Sequence, residues 1–486
     1  MTHRPLWSLE AMLGAMRATG VGALPAAVMG LSIDTRTIAP GEAFFAIKGD
    51  NRDGHDFVTA ALEAGAGLAV VAAHKREKFP DRAPLILLVA DVLEGLRDLA
   101  RAARARTRAK IIAVTGSVGK TGTKEALRLA LSRSGETHAS LASYNNHWGV
   151  PLSLARCPES ARYAVFEIGM NHAGEIEPLV QLVRPQVAII TAVEPVHLEF
   201  FGSLDAIADA KAEIFFGVER GGAAVLNRDN SQFARLERSA RNAGIDRIVS
   251  FGEHASADAR LVKWSLQTDT STVQARIFGT DVTYKLGAPG QHLVINSLAV
   301  LAAVALAGAD LALAALALAD LQPASGRGSR VTLYMPGDTA LLIDESYNAN
   351  PASMRAALAL LGQANVGPLG RRVAVLGDML ELGSRGAELH RELAVATLAH
   401  GIDLVFCCGP LMRAMWEALP SSRKGGYAET SAALEPDVLA AVQPGDAVMV
   451  KGSLGSRMTP IVKALQSRYR RETPILAPAQ ASIVDG

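Results

Sequence analysis

Short apolar runs ending in glycine or a polar residue recur along almost the whole chain, separated by stretches of helical periodicity. That alternation is the pattern of α/β units, whose parallel strands need a helical crossover between them. In the first part the runs are Phe44 to Ile47, Leu68 to Val71 and Leu85 to Val89, after a short helix near Ser8 to Thr19. In the middle they are Lys110 to Val114, Ala164 to Phe166, Val187 to Ile190 and Ala223 to Leu226. The stretch Arg260 to Leu286 alternates in the manner of strands and reads as a sheet edge or small β-subdomain. The last part repeats strand-then-glycine at Arg372 to Gly377, Leu404 to Gly409 and Ala447 to Gly452, where doubly wound sheets bind ligands. The 486 residues suit about three domains, drawn at 1–108, 109–325 and 326–486. The basic stretch Arg101 to Lys110 leads from the first into the second and reads as a solvated face. From Glu472 the chain carries prolines and little pattern, which predicts disorder.

Charge and composition exclude several classes. A net charge of +1 gives no electrostatic footprint for nucleic acid or anionic membrane. Cys157, Cys407 and Cys408 lack metal-ligand spacing and cannot build a disulfide framework, so a reducing compartment is expected. The chain is 49% hydrophobic, yet Asp310 and Asp320 interrupt its most apolar stretch, Leu298 to Leu321. The uncharged runs fall short of the ~20 residues a membrane span requires. The amino-terminal residues show no signal-peptide pattern. A cytoplasmic, monomeric enzyme is the expectation.

The most informative local feature is Thr115-Gly116-Ser117-Val118-Gly119-Lys120-Thr121, directly after a strand and before a helix. Glycines let backbone N–H groups turn toward phosphate oxygens, lysine supplies a point charge, and the threonine hydroxyl can meet Mg²⁺. Val114 stands where a strict Walker A loop has its first glycine. The loop predicts an ATP or GTP user without naming a reaction. Glu167, after the strand Ala164 to Phe166, is placed to hold Mg²⁺, although a lone strand-end glutamate is more often structural. On residue type alone His197 reads as a loop residue and Lys211 as an ordinary helix-surface lysine. Asp344 and Glu345 follow another strand and can meet ribose hydroxyls; Asn348 and Asn350 can meet phosphate or base. Asn350-Pro351 is equally a helix start. Lys451 is an anion contact or part of a simple turn.

Taken together, in order and spacing from about residue 30 to about 465, these blocks resemble the Mur ligase family. The phosphate loop, Asn145 to Pro151, the Glu167 block, His197-Leu198-Glu199 and Lys211 to Phe215 carry the resemblance. Tyr347 to Pro351 and Gly377 to Gly383 point to the branch that adds D-alanyl-D-alanine to UDP-N-acetylmuramoyl-tripeptide. The resemblance implies a UDP-substrate-binding α/β domain, a central P-loop ATPase domain with a mostly parallel sheet, and a carboxyl-terminal Rossmann-like domain. It implies ATP and two Mg²⁺ ions as cofactors. Thr115 to Thr121 would hold ATP, with Asn296 facing adenine and Arg327, Asp344, Glu345 and Asn348 also near the nucleotide. Thr121, Glu167, His197 and Lys211 would be the metal ligands, Lys211 as a carbamate formed with CO₂. Lys120, Glu167, His197 and Lys211 would be catalytic. Thr35 and Arg36, beside the Gly49 to His55 block, would meet the UDP end, and Asn146, Asn350 and Lys451 the substrate; unaided, the first of these stretches reads as turns. Nucleotide contacts from two segments imply domain closure. His292-Leu293, Glu345 and Val118 depart from common family residues without removing a needed charge. The rivals are a sister ligase adding one amino acid, whose Asp-Asn-Pro-Arg signature is absent, a folylpolyglutamate synthetase-like ligase, a GTP-binding switch, and a non-catalytic nucleotide-binding module.

Overall fold

The run Lys110–Thr115 becomes the strand around which the largest sheet is ordered, and every residue of it from Ile111 onward is buried. In this computed structural model, residues 4–80, 85–141, 143–196, 198–267 and 269–470 are described. The chain divides into two compact units, Met1–Leu321 and Gln322–Gly486.

Among the described residues the first unit holds two main sheets. The smaller runs Thr19–Val21, Ile86–Val89, Leu68–Ala72, Glu42–Phe45, Gly30–Ser32, parallel except at its first pair. In the larger, nine-stranded sheet, Lys110–Thr115 lies between Tyr163–Glu167 and Val187–Ile190, parallel to both. The chain leaves that central strand toward one side and returns on the other, so a crevice opens at its carboxyl end. The alternating stretch forms three strands, Ala259–Leu266, Ser271–Ile277 and Thr280–Leu286, which extend the same sheet at its edge, the first joining parallel and the other two antiparallel.

Local signals set the element ends. Ser8 caps the first helix, Leu9–Met16, by accepting from the Ala11 N–H. Arg17 then turns left-handed at φ 50°, so the helix stops before Thr19, which belongs to a strand instead. The apolar stretch from Leu298 is split between Gln291–Leu306 and Leu311–Ala317, with Asp310 as the second helix's cap at 2.9 Å from Leu313 N. No described helix is long and apolar enough to cross a membrane.

The basic stretch departs from its sequence reading at Arg104 and Arg106. The helix Val92–Arg106 buries Leu96, Leu99, Ala100 and Ala103 at helical spacing, and Arg104 is buried with them. The Arg104 guanidinium donates to Val183 O and Arg184 O, each at 2.8 Å, and to Glu219 at 2.6 Å. Arg106 lies 3.4 Å over the Trp7 ring. Arg101, Arg108 and Lys110 remain exposed, whereas Arg104 and Arg106 fasten the small sheet's helix to the large sheet's layer. Arg156 does the same from the other side, donating to Leu31 O at 2.7 Å.

The second unit holds a six-stranded sheet ordered Ser329–Met335, Asp338–Glu345, Ala447–Lys451, Arg372–Gly377, Leu404–Cys408, Lys424–Ala428. It is parallel after the first pair. Its helix Pro351–Gly362 starts with proline in its first turn behind the cap Asn350, which forms a reciprocal capping box with Ser353. The residues from Glu472 lie outside the described ones.

Candidate nucleotide and catalytic site

The loop after the central strand can follow its path only with glycine at two points. Gly116 has φ 148°, and a Cβ there would lie 2.0 Å from Thr191 Oγ1. Gly119 has φ 84°, and a Cβ there would lie 2.4 Å from Asn296 Nδ2. Asn296, on the helix Gln291–Leu306, is thereby set directly against the loop. Neighbouring backbone locks the shape: Thr191 Oγ1 donates to Val118 O at 2.6 Å and Ser117 N to Ala192 O at 2.8 Å. Ser117 Oγ and the Glu194 backbone exchange two further bonds of 3.0 and 2.9 Å. Thr191 and Glu194 are contributions the sequence reading missed; their only signal is that they follow the strand beside the loop. Lys120 Nζ reaches back to Gly116 O at 2.6 Å, as the first residue of the helix Lys120–Ser132. That helix also directs its positive end at the crevice.

Sheet register brings Glu167 opposite Val114, at the loop's root. Its carboxylate is 1% exposed and accepts from two sides: Thr121 Oγ1 on Oε2 at 2.9 Å and Asn145 Nδ2 on Oε1 at 2.8 Å. It forms no ion pair with a described residue. Asn145 in turn accepts from Gly169 N at 2.8 Å. The sequence reading placed Asn145 in a block without a role; the structure makes it the second partner of Glu167. Among the described residues no three His, Cys, Asp or Glu side chains gather as a metal cluster. His197 lies outside the described residues.

Lys211 overturns the reading as a helix-surface lysine. It sits at the end of Leu204–Ala212, 2% exposed, while Asp205 and Asp209 face outward to Arg235. It makes no hydrogen bond or ion pair with a described residue. Burial pushes its amine well below the ordinary lysine range, and the charge of Lys120 adds to the effect. A signal did exist in the sequence, since Lys211 stands one turn after buried Ile207 and one turn before buried Phe215, on the apolar stripe.

Beside Asn145, the partner of Glu167, opens a cavity of about 1150 Å³ within the first unit. Asn145, Asn146, Trp148 and Met170 line it from the large sheet's side, Asp50 and Arg97 from the small sheet's side. Asn146 accepts from Gly149 N at 2.9 Å, starting the helix Gly149–Ala155. Thr35 and Arg36 do not line this cavity; Arg36 is exposed and pairs with Asp34 at 2.6 Å, holding that carboxyl low.

In the second unit the remaining candidates gather at one sheet edge. Asp344 is buried and accepts from Gly326 N at 3.0 Å, Ser346 N at 3.1 Å and Ser346 Oγ at 2.6 Å. Glu345, on the other face of its strand, takes Lys451 Nζ at 3.1 Å, and Lys451 also donates to Asn348 O at 2.9 Å. Asn348 Oδ1 accepts from Ala349 N at 2.8 Å, and Asn350 is the helix cap that Asn-Pro suggested. Arg327 lies 4.2 Å over the Tyr347 ring. Of the two acids, Glu345 keeps the more accessible carboxylate, because Asp344 is spent on three internal donors.

A glycine-turned loop between strand and helix, with a buried glutamate facing its threonine, defines the class: a P-loop α/β protein. Profiles of the family match along the chain: "Mur ligase family, catalytic domain" at residues 27–104, "Mur ligase middle domain" at 114–304, and "Mur ligase, glutamate ligase domain" at 329–454. The UDP-N-acetylmuramoyl-tripeptide--D-alanyl-D-alanine ligase of Escherichia coli (strain K12) is 35% identical, covering 90% of this chain and 93% of its own. A crystal structure of MurF from Acinetobacter baumannii matches at a TM-score of 0.80 and 30% identity, over 96% of this chain and all of that one. The MurF ligase of Thermotoga maritima, solved in complex with ADP, matches at 0.71 and 25% identity, over 90% of this chain and 98% of its own. The chain belongs to the Mur ligase family.

Proposed function

We propose that this chain is the ligase that joins D-alanyl-D-alanine to UDP-N-acetylmuramoyl-tripeptide at the expense of ATP, in peptidoglycan precursor synthesis. The observation that carries it is likeness to that ligase over nine-tenths of the chain, at 35% identity to the Escherichia coli protein. The phosphate loop suits ATP, and the Thermotoga maritima relative was solved with ADP.

A carboxylate oxygen is a poor leaving group, so direct condensation with an amine does not proceed in water. Transfer of the γ-phosphoryl group to the tripeptide's terminal carboxylate gives an acyl phosphate and ADP. The dipeptide's amine then attacks the carbonyl carbon, and the tetrahedral intermediate expels phosphate as the amine loses its proton. Lys120 and the loop N–H groups offset the negative charge of the transferring group. Glu167 fits a divalent cation, being a buried carboxylate with a hydroxyl and an amide as partners and no described cation against it. Thr121 and Glu167 would hold one Mg²⁺, and Glu167, His197 and carbamylated Lys211 a second; these ions would neutralise charge between the reacting anions. Burial of Lys211 supports the carbamate, because the neutral amine is the form that adds to CO₂, releasing one proton. The resulting anion would answer the charge of Lys120. The cavity from Asp50 to Asn145 suits a long anionic substrate whose reacting carboxylate ends beside Glu167. Thr35 and Arg36 would contact its UDP end, and Asn146 its body. Asn296, Arg327, Glu345 and Asn348 would contact the nucleotide, with Asp344 shaping that wall from behind. Asn350 and Lys451 would order the edge that receives substrate.

The test is phosphate release with ATP, Mg²⁺ and UDP-N-acetylmuramoyl-tripeptide. Strict dependence on D-alanyl-D-alanine is expected; release with a single amino acid would move the chain to a sister ligase. Lys211→Ala should lose activity about a hundredfold, with partial rescue by a short carboxylate.

A further inference from the structure

Lys124 stands one turn beyond Lys120 and Thr121 on the same helix face, and it is fully buried. Neither the phosphate loop nor the cavity needs it directly. Its Nζ donates to the Ser140 carbonyl at 2.7 Å and pairs with Glu125, itself part-exposed, at 3.1 Å. Ser140 opens the segment that carries Asn145, and its hydroxyl accepts from Glu167 N at 3.4 Å. From that segment Asn145 reaches Glu167 Oε1, while Thr121, from the lysine's own helix, holds Oε2.

One buried ammonium therefore ties the helix gripping one carboxylate oxygen to the segment gripping the other. Burying a lysine is costly, and a hydrophobic residue would fill the same space without that cost. A charged donor aimed at a backbone carbonyl instead fixes where the segment lies, which is the supporting contact that a metal-holding carboxylate requires. We infer that Lys124 is a positioning residue for the ligase reaction: it sets Asn145 against Glu167 and thereby the orientation in which that carboxylate meets the nucleotide's metal ion. The inference rests on the reading of Glu167 as a metal-holding residue.

Calorimetric titration of the full chain with ADP, in Mg²⁺ and in chelator, tests both statements without relying on turnover. The quantity read is the ratio of the two affinities. Lys124→Met and Asn145→Ala are each expected to lower that ratio by about 10–100-fold, the usual cost of losing an outer-shell partner. The double variant should fall no further than the worse single one, and ADP binding in chelator should stay unchanged. An unaltered ratio in K124M, an equal loss with and without Mg²⁺, or multiplying losses in the double variant would overturn the proposal. Glu167→Gln separates the two levels. If it leaves the ratio intact, the reading of Glu167 fails; if it removes the Mg²⁺ advantage while K124M keeps it, only the role of Lys124 fails. Should K124M not fold, Lys124→Gln, too short to reach Ser140 O, enters the same cycle with the same expectations.

Discussion

Lys211 in the first unit and Lys451 in the second are equally removed from water, each 2% exposed, yet their surroundings are opposite. Lys451 gives its ammonium to the Glu345 carboxylate and the Asn348 carbonyl. Lys211 meets no described carboxylate, and the charge that bears on it is that of Lys120, which repels it. The first arrangement satisfies a buried ion and holds a sheet edge together. The second places an amine with no partner among the described residues within reach of the Lys120 charge, a cost to folding that is tolerated where chemistry uses the group.

The comparison can be broken at several points. The largest effect is expected at the charge Lys211 faces: Lys120→Ala should slow ligation about a thousandfold, ~4 kcal/mol of barrier. Its fold should be unaltered by circular dichroism, and a loss of under tenfold would remove the loop from the reaction. Next, Lys451→Met leaves Glu345 half-buried and unpaired. Denaturant unfolding should register about 3 kcal/mol, the lower end for a broken buried pair, because the Glu345 side chain keeps 17% exposure.

For Lys211→Met the sign reverses, and the variant should melt higher than the parent in CO₂-free buffer. The folded amine has its pKa held down, so between that value and the ordinary 10.5 the unfolded chain binds a proton that the folded one does not. Stability of the parent therefore rises with pH across this window. The advantage of K211M should be greatest toward neutral pH and fade as pH approaches about 10.5. A pH-independent difference would mean packing rather than ionisation is responsible. The smallest change is at the cap: Asn350→Ala should cost about 1 kcal/mol, and Asn350→Asp almost nothing. A loss of ligation out of proportion to that stability change would assign Asn350 a substrate contact beyond its cap.

What could be read from the chain divides along the same line. The phosphate loop is legible because its strand, glycines, lysine and threonine are contiguous, and φ values of 148° and 84° at Gly116 and Gly119 explain why no other residue serves. Asn350-Pro351 is legible as a helix start for the same local reason. Asn145 and Thr191 were missed because the first reaches Glu167, and the second the loop, only through the order of strands in the sheet. The basic run Arg101 to Lys110 misled at one residue, because four of its cations stay at least partly in water while Arg104 turns inward to two carbonyls and Glu219. Asp344 and Glu345 read alike in sequence, and strand pleating gives them different partners by sending adjacent side chains to opposite faces, Asp344 to three internal donors and Glu345 to Lys451.

The sequence by itself determined the α/β alternation, the phosphate loop and the helix caps, because each depends on residues within a turn or two of one another. Tertiary structure decided which lysines leave water, that Glu345 answers Lys451 while Lys211 meets no described carboxylate, and which side chains hold Glu167 from either side. Those outcomes depend on burial and on contacts across the sheet, and residue type states neither.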